Sequence, residues 1–228
     1  MMQGYISLIC QGALLTIILA LASLLLAMML GIVCALGKLA DSKVCNVLCQ
    51  VYTSLIRGVP DLVLMMLIFF GLQFLVNNIT DYFNASFIEV NPLMAGIFTL
   101  GFIYGAYFTE TFRGAYLAVS KNTLAAATAL GLSKVQVFLY VMFPLMMRFA
   151  LPGIANNWLV VLKATALVSL LGLSDLVKAT KNAGEALYQP LLFALIAGAF
   201  YLFFTSISNI VLWWLERRYS IGTIKTKL

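Results

Sequence analysis

The chain has 228 residues, of which 63% are hydrophobic and 10% are charged, whereas a soluble domain carries about 25% charged residues. This composition excludes a water-soluble fold. The formal net charge is +6, but the basic residues lie mostly beside the apolar runs, where positive charge sets membrane topology, so we predict no nucleic-acid partner.

The apolar runs are long and continuous, which predicts an all-α bundle of membrane-spanning helices and not a β-barrel with short alternating strands. A hydrocarbon core of about 30 Å takes roughly 20 apolar residues per helical crossing, so the chain accommodates about five spans in one domain. We place the spans at about residues 11–36, 62–80, 92–116, 148–171 and 189–215.

The first predicted span is preceded by no charged residue, and the first charge along the chain is Lys38. A cleavable signal peptide would begin with basic residues and have a much shorter apolar stretch, so we expect this segment to be retained as a span. The basic residues that follow the span favour an amino terminus outside the cell.

The stretch after the second predicted span has no lysine or arginine, which predicts an external loop. Its polar and acidic residues are Asn77, Asn78, Asp81, Asn84 and Glu89. The third span begins near Pro92 and runs past Glu110, because the pattern of glycine and aromatic residues continues, and Arg113 is then near the inner face.

The stretch 118–140 is less apolar and is interrupted at Gly131, which predicts an internal loop with short helices. The fourth span is harder to delimit, because Pro144 and Pro152 interrupt helical geometry and Lys163 falls inside the apolar run. The charges of residues 175–188 sum to zero, and we expect an outer interfacial segment there.

Five spans with an external amino terminus put the carboxyl terminus in the cytoplasm. Of the 14 basic residues, only Lys178 and Lys181 then lie outside and Lys163 lies within the membrane, as the positive-inside rule predicts. The basic residues expected at the inner side are Lys38, Lys43, Arg57, Arg113, Lys121, Lys134, Arg148, Arg217, Arg218, Lys225 and Lys227.

The segment Ala125-Ala126-Ala127-Thr128-Ala129-Leu130-Gly131 is followed, after nine residues, by Val141-Met142-Phe143-Pro144. A run of small residues gives a helix that a partner can approach closely, and a glycine after it permits a left-handed turn into a second helix. This pattern predicts a compact cytoplasmic elbow, although an ordinary alanine-rich inner loop is the alternative.

The elbow resembles the EAA loop of ABC-importer permeases, in which glutamate, two alanines, three residues and glycine precede a hydrophobic triplet and proline at the same spacing. Ala125 departs from that pattern, because the family usually has glutamate there. The departure affects the polar contact that the glutamate would make but not the docking geometry. Four further segments resemble signatures of permeases for polar amino acids, and the resemblance implies a basic amino acid such as histidine, arginine, lysine or ornithine as the substrate. The segments are residues 57–60 (RGVP), 107–114 (YFTETFRG), 151–153 (LPG) and 162–173 (LKATALVSLLGL).

The resemblance implies a type I ABC-importer permease of the bacterial inner membrane that works by alternating access. It implies three kinds of partner: nucleotide-binding ATPase subunits, which would hold ATP and Mg, a second homologous permease, and an extracytoplasmic amino-acid-binding protein. The chain has no G-x-x-x-x-G-K-[ST] phosphate loop, its one Gly-Lys pair at Gly37-Lys38 being followed by leucine, so we expect it to bind no ATP and no other cofactor. An ATP-independent channel or an ion-coupled carrier remains the alternative, and a membrane enzyme is disfavoured because no catalytic cluster is evident.

Ionisable residues within spans are functional candidates, because each costs about 2.5 to 3.5 kcal/mol at mid-membrane on insertion scales. Glu110 and Arg113 are three residues apart on one helical face, so they either form a structural ion pair or line the translocation path. Lys163 is the deepest candidate, and we expect Asn156 and Asn157 on roughly the same face. We interpret the four cysteines as small apolar fillers, with no disulfide framework and no metal site.

Overall fold

The computed structural model describes residues 2–83 and 87–219, with side chains from Gly4 onward. Asn84, Lys225 and Lys227, which entered the topology prediction, lie outside the described residues. The described chain is helical throughout, apart from turns and short connections. The helices are α1 (Met2–Leu39), α2 (Lys43–Gly58), α3 (Asp61–Tyr82), α4 (Pro92–Ala118), α5 (Lys121–Ala129), α6 (Lys134–Gln136), α7 (Phe143–Val168), α8 (Leu176–Ala186) and α9 (Pro190–Tyr219).

Five of these helical segments are long and apolar enough to cross a membrane, which confirms the predicted five-span, all-α architecture. They are Gly4–Leu39, Asp61–Tyr82, Pro92–Ala118, Lys134–Leu171 and Pro190–Tyr219. The first, third and fifth of these end near Lys38, Arg113 and Arg217, so basic residues mark the same end of each of those helices.

The fourth long helix begins at Lys134 and not near residue 148, because two prolines that were expected to interrupt it are accommodated. Pro144 lies in the first turn of α7, directly after a π-helical segment, Val137–Met142, that joins α6 to α7. A proline ring clashes with the carbonyl of the fourth residue before it, and a wider π turn there relieves the clash. Pro152 lies inside α7. The predicted internal loop is therefore reduced to α5 and one turn.

Helix α4 forms the centre of the bundle, with 13 of its 27 residues buried. It runs beside α1 in the same direction, and glycines let the two backbones approach closely. A Cβ at Gly101 would lie 2.5 Å from the Leu26 side chain, and a Cβ at Gly31 would lie 2.5 Å from Phe108 Cβ. Helix α7 packs on α4 in the opposite direction, since Gly153 approaches the Thr111 side chain while Gly96, earlier on α4, approaches Val168, later on α7. These small residues set the close packing of the core.

A second apolar cluster joins α8 and α9 to the first half of α1. Ile9 and Ala13 of α1 contact Leu176 and Ala183 of α8 and Phe193 of α9, and all five are buried. Helix α8 is the short helix in the segment predicted to be interfacial.

Helix α2 was not predicted, although its sequence has the helical period. Its apolar side chains lie on one exposed stripe, and of its residues only Thr53 and Ile56 are buried. The exposed stripe consists of Val44, Val47, Leu48, Val51 and Leu55. The helix ends at Gly58, and Val59-Pro60 redirects the chain into α3.

Candidate functional site: an exposed elbow and a polar cleft

The predicted elbow is helix α5 and the turn that follows it. Gly131 has φ +84°. Its N–H donates to the Thr128 carbonyl at 3.0 Å, and the Leu132 N–H donates to the Ala127 carbonyl at 3.3 Å. These two bonds define a Schellman cap, which needs a residue in the left-handed region, and glycine adopts that region without steric cost.

The elbow stands away from the bundle. Ala125 and Ala126 are exposed, Leu130 is 83% exposed, and Ala127 is the one α5 residue that is buried. The helix contacts mainly the π-helical segment that precedes α7. Small side chains on an exposed helix give a surface that another protein can approach closely.

The turn connects the elbow directly to the fourth long helix. Ser133 caps that helix: its Oγ accepts from the Gln136 N–H at 3.4 Å, and its own N–H donates to Gln136 Oε1 at 2.9 Å. Only residues 130–133 therefore separate α5 from a helix that runs to Leu171. Pro144, expected in the coupling motif, lies exposed in this helix.

An ion-pair cluster lies at the same end of the bundle. Arg113 Nη2 is 3.0 Å from Glu110 Oε2, and Lys38 Nζ is 2.5 Å from Glu110 Oε1. Lys38 Nζ also donates to Thr53 Oγ1 at 2.6 Å. Glu110 thus joins the end of α1 to α4, with α2 attached through Thr53. The spacing of Glu110 and Arg113 in the sequence predicts that these two are neighbours, but nothing local relates them to Lys38, which is distant along the chain.

A polar cleft of about 690 Å³ opens beside this cluster, between α1, α2 and α4. Three cationic side chains and one carboxylate face the cleft, so the cleft carries a net positive charge. The guanidinium of Arg57 lies 5.5 Å from the centre of the Tyr107 ring, a cation–π contact. The cleft is lined by Lys38, Asn46, Gln50, Thr53, Ser54, Arg57, Gly58, Tyr107, Glu110 and Arg113.

A second polar contact lies at the break between α2 and α3. The buried Tyr104 hydroxyl donates to Asp61 Oδ2 at 2.8 Å. This bond holds the start of α3 against the middle of α4. The predicted second span begins at residue 62, directly after Asp61, and the sequence gives no signal for the partner of this aspartate.

The three candidates on α7 do not share one face. Asn157 is buried and donates to Thr111 Oγ1 at 3.1 Å, which makes it a packing contact with α4. Asn156 and Lys163 are exposed on the other side of the helix. The expected common face is therefore wrong for Asn157 and holds for the other two. Within the described residues, Lys163 makes no hydrogen bond or ion pair.

At the opposite end of the bundle, Asp175 caps α8. Its Oδ1 accepts from the Lys178 N–H at 3.0 Å, while its Oδ2 has no partner and the side chain is fully buried. Burial raises the pKa of this carboxyl from 3.8 to about 6, against the opposing effect of the backbone N–H bonds. The Thr16 hydroxyl of α1 accepts from the Leu176 N–H at 3.2 Å, which ties this corner to α1.

Among the described residues, no group of three or more histidine, cysteine or acidic side chains is arranged to hold a metal ion. The arrangement is instead a helix bundle with an exposed elbow, a half-buried ion-pair cluster at the same end and the buried carboxyl of Asp175 at the other end. Comparison with known proteins assigns this arrangement to a family. Residues 27–221 match the family described as the binding-protein-dependent transport system inner membrane component.

The chain belongs to this family of transport permeases.

The permease is similar along its whole length to characterised relatives. It is 55% identical over 228 residues to the histidine/lysine/arginine/ornithine transport system permease protein HisQ of Escherichia coli (strain K12), with all of both chains covered. It is 36% identical to the arginine ABC transporter permease protein ArtQ of Haemophilus influenzae, covering 96% of this chain and 97% of that one.

The fold of the permease matches a solved ABC transporter. The crystal structure of an amino acid ABC transporter with histidines superposes with a TM-score of 0.79 and 27% identity, over 95% of this chain and 96% of that one. These comparisons confirm the predicted family of ABC permeases for polar amino acids and its fold.

Proposed function

We propose that this permease is one half of the translocation path of an ATP-driven importer for basic amino acids, with histidine, lysine, arginine and ornithine as candidate substrates. The support for this substrate class is the 55% sequence identity, over the full chain, to a permease named for those four amino acids. The relative named for arginine points to the same chemistry.

The observation that carries the proposal is the exposed elbow. Helix α5 offers small exposed side chains, and a rigid cap joins it to a helix that crosses the bundle. A separate ATPase subunit that docks on α5 would move the fourth long helix with it, because the Gly131 turn and the Ser133 cap leave few free torsions between them. ATP and Mg would be bound by that subunit.

The docking of an ATPase subunit on α5 would also fix the orientation of the permease in the membrane. The elbow end of the bundle, which holds Lys38, Arg113 and α5, would lie in the cytoplasm, with the amino terminus outside, as the positive-inside rule favours. The opposite end, which includes α8, would face an extracytoplasmic binding protein, since the family description names a transport system that depends on a binding protein.

Ala125 stands where the EAA motif usually has glutamate. Because Ala125 is exposed and has no charge, docking on this elbow would depend on shape and apolar contact at Ala125, Ala126 and Leu130. The hydroxyl of Thr128 does not supply the missing polar contact, since it donates to the Leu124 carbonyl within α5 at 3.0 Å.

The exposed polar side of α7 supports a second permease subunit as partner. Lysine in contact with lipid at mid-membrane costs about 2.5 to 3.5 kcal/mol on insertion scales, so Lys163 and Asn156 would face a water-filled path between two permeases. A related but distinct second permease would complete this path. The Lys163 ammonium would then meet the carboxylate of the amino acid, since it repels a cationic side chain.

Glu110 and Arg113 would have a structural role and not a role in binding substrate. Both carboxylate oxygens of Glu110 are occupied, by Lys38 and by Arg113, so Glu110 has little capacity left for a cationic substrate. We propose that the cluster fixes α1 and α4 at the inner end of the path, and that Arg57 and Arg113 supply the positive wall of the cleft.

The test replaces Ala126 by tryptophan in the assembled transporter. Ala126→Trp should abolish amino-acid uptake and substrate-stimulated ATP hydrolysis, while the amount of permease in the membrane stays unchanged. Ala199→Trp is the matched control, because Ala199 is also exposed but lies on α9, far from the elbow along the chain. Normal uptake by the Ala126 variant, or uptake by the purified chain alone in liposomes, would contradict the proposal and favour a channel or carrier.

The substitution Lys163→Met tests whether Lys163 lines the path of the substrate. We expect a higher KM for uptake with an unchanged thermal midpoint, because Lys163 makes no hydrogen bond or ion pair with the part of the subunit that the structure describes. An unchanged KM would remove Lys163 from the substrate path.

A further inference from the structure

Two of the four cysteines lie against each other across the contact between α1 and α2. A Cβ at Gly37 would lie 2.7 Å from Cys49 Sγ, so the thiol of α2 rests on a position of α1 that only glycine leaves open. Cys34 lies one helical turn before Gly37 on the same face of α1, and its side chain interacts with that of Cys49. Both side chains are half-buried.

The other two cysteines are differently placed. Cys45 is exposed one turn before Cys49, and Cys10 is exposed in the first half of α1. Accessibility alone would therefore make Cys10 and Cys45 the more reactive thiols, whereas proximity favours a bond between Cys34 and Cys49. A disulfide requires its two Cα atoms about 4.4 to 6.8 Å apart, which helices in contact at a glycine can provide.

The cysteine pair lies where α2 is held to the rest of the bundle. Lys38, one turn after Cys34, bonds to Thr53, one turn after Cys49, and the same lysine contacts Glu110. Tyr52, which follows on α2, donates to the Phe102 carbonyl at 2.5 Å. A further bond runs from the Asn46 side chain to the Lys38 carbonyl at 2.8 Å. Since α2 buries only two of its side chains, few buried contacts besides these bonds hold it to the bundle.

We propose that Cys34 and Cys49 are a redox modification site, whose reversible disulfide locks α2 against α1 and stops transport. The oxidant is a low-molecular-weight disulfide. One cysteine thiolate attacks it, forming a mixed disulfide and releasing one small thiol. The second cysteine thiolate then displaces the second small thiol. Two cysteine thiols are oxidised to one disulfide, and the oxidant takes up both electrons and both protons as two thiols.

The lock acts on the polar cleft. Its walls come from α1, α2 and α4, and a covalent bond between α1 and α2 fixes two of the three. Any step of the transport cycle that changes the distance between α1 and α2 is then blocked. This consequence rests on the proposed function, while formation of the bond does not.

The experiment uses the complete transporter in proteoliposomes, treated with oxidised glutathione and then with dithiothreitol. After alkylation and proteolysis, mass spectrometry should find one peptide pair linked through Cys34 and Cys49. Uptake should be lost on oxidation and should return on reduction. Cys34→Ser and Cys49→Ser should keep uptake in the oxidant, whereas Cys10→Ser and Cys45→Ser should be inhibited like the unsubstituted protein.

Three results would overturn the proposal. They are the absence of a bond between Cys34 and Cys49, a complete bond with unchanged uptake, or inhibition of the Cys34→Ser and Cys49→Ser variants to the same extent as the unsubstituted protein. Should a serine variant accumulate poorly, the alanine variant at the same position takes its place, and the linked peptide is measured on the unsubstituted protein in any case. A reduced transporter without uptake would contradict the proposed function alone, because the linked peptide is detected independently of transport.

Discussion

The elbow and the seam between α1 and α4 are built in opposite ways. The elbow is exposed and is held by hydrogen bonds between near neighbours, such as Leu132 to Ala127 and Ser133 to Gln136. The seam is buried and is held by residues far apart in sequence, such as Gly101 against Leu26. A change in the elbow should therefore affect coupling while the bundle stays folded, and a change in the seam should affect the stability of the whole permease.

The largest effect on function is expected at Gly131. Gly131→Val places a β-branched residue at φ +84°, where strain of about 1 to 3 kcal/mol disrupts the cap. We expect uptake to fall to background with a thermal midpoint close to that of the unsubstituted protein, as measured in proteoliposomes and by thermal denaturation in detergent. Gly198→Val is the control, since nothing lies within 4 Å of a Cβ there and its φ is ordinary. A strongly lowered midpoint for Gly131→Val would remove the contrast between the two regions.

The largest effect on stability is expected at the seam. Gly101→Leu would overpack the α1–α4 contact, which costs about 1 to 3 kcal/mol or more because the Leu26 side chain already occupies the space. The thermal midpoint in detergent should fall, together with the amount of permease in the membrane. Gly71→Leu, in open space, should leave both unchanged. Equal thermal midpoints for the two variants would show that α1 and α4 are not closely packed at Gly101.

The elbow was accessible to sequence analysis because its geometry is local. A run of small residues and one glycine define the cap, and the structure has that glycine at positive φ. The five spans followed from composition and length. The start of the fourth span was misplaced, because a π-helical segment before Pro144 accommodates a residue that normally interrupts a helix.

The ion cluster and the cysteine pair were not accessible in the same way. Lys38 meets Glu110, and Cys34 meets Cys49, only after the helices have packed, and no spacing in the sequence indicates which side chains will meet. Helix α2 is a different case. Its apolar residues recur at helical spacing from Val44 to Leu55, so the signal was present and a periodicity count would have found it.

A smaller effect is expected at Glu110. Glu110→Gln leaves two cations without their carboxylate, so we expect a lower thermal midpoint and reduced uptake. The double variant Lys38→Met with Glu110→Gln should lose less than the sum of the single changes, with a coupling of about 0.5 to 3 kcal/mol. Additive losses in this double-mutant cycle would mean that the Lys38–Glu110 contact contributes nothing.

The smallest effect is expected at Asp175 and depends on pH. Because burial raises its pKa from 3.8 to about 6, the folded protein holds this proton more tightly than the unfolded chain. The contribution of this proton to the free energy of unfolding is complete below about pH 3.8 and is lost as the pH rises through about 6. Asp175→Asn keeps the cap but removes the titration, so it should raise the thermal midpoint at pH 7.5 relative to the unsubstituted protein, with the difference vanishing at low pH. Lys178 and Tyr201 are the neighbouring titratable groups and stay unchanged in both proteins. A constant difference at all pH values would assign the effect to packing.

The central claim is that α5 is the surface through which an ATPase subunit drives this permease. The direct measurement places one cysteine at Ala126 in a permease whose native cysteines are replaced by serine, and applies a short bifunctional cross-linker to the assembled transporter in membranes. We predict a cross-link to the nucleotide-binding subunit, and protection from a membrane-impermeant maleimide added outside intact cells. Labelling of Ala126→Cys from outside, with no cross-link to the ATPase, would contradict the account.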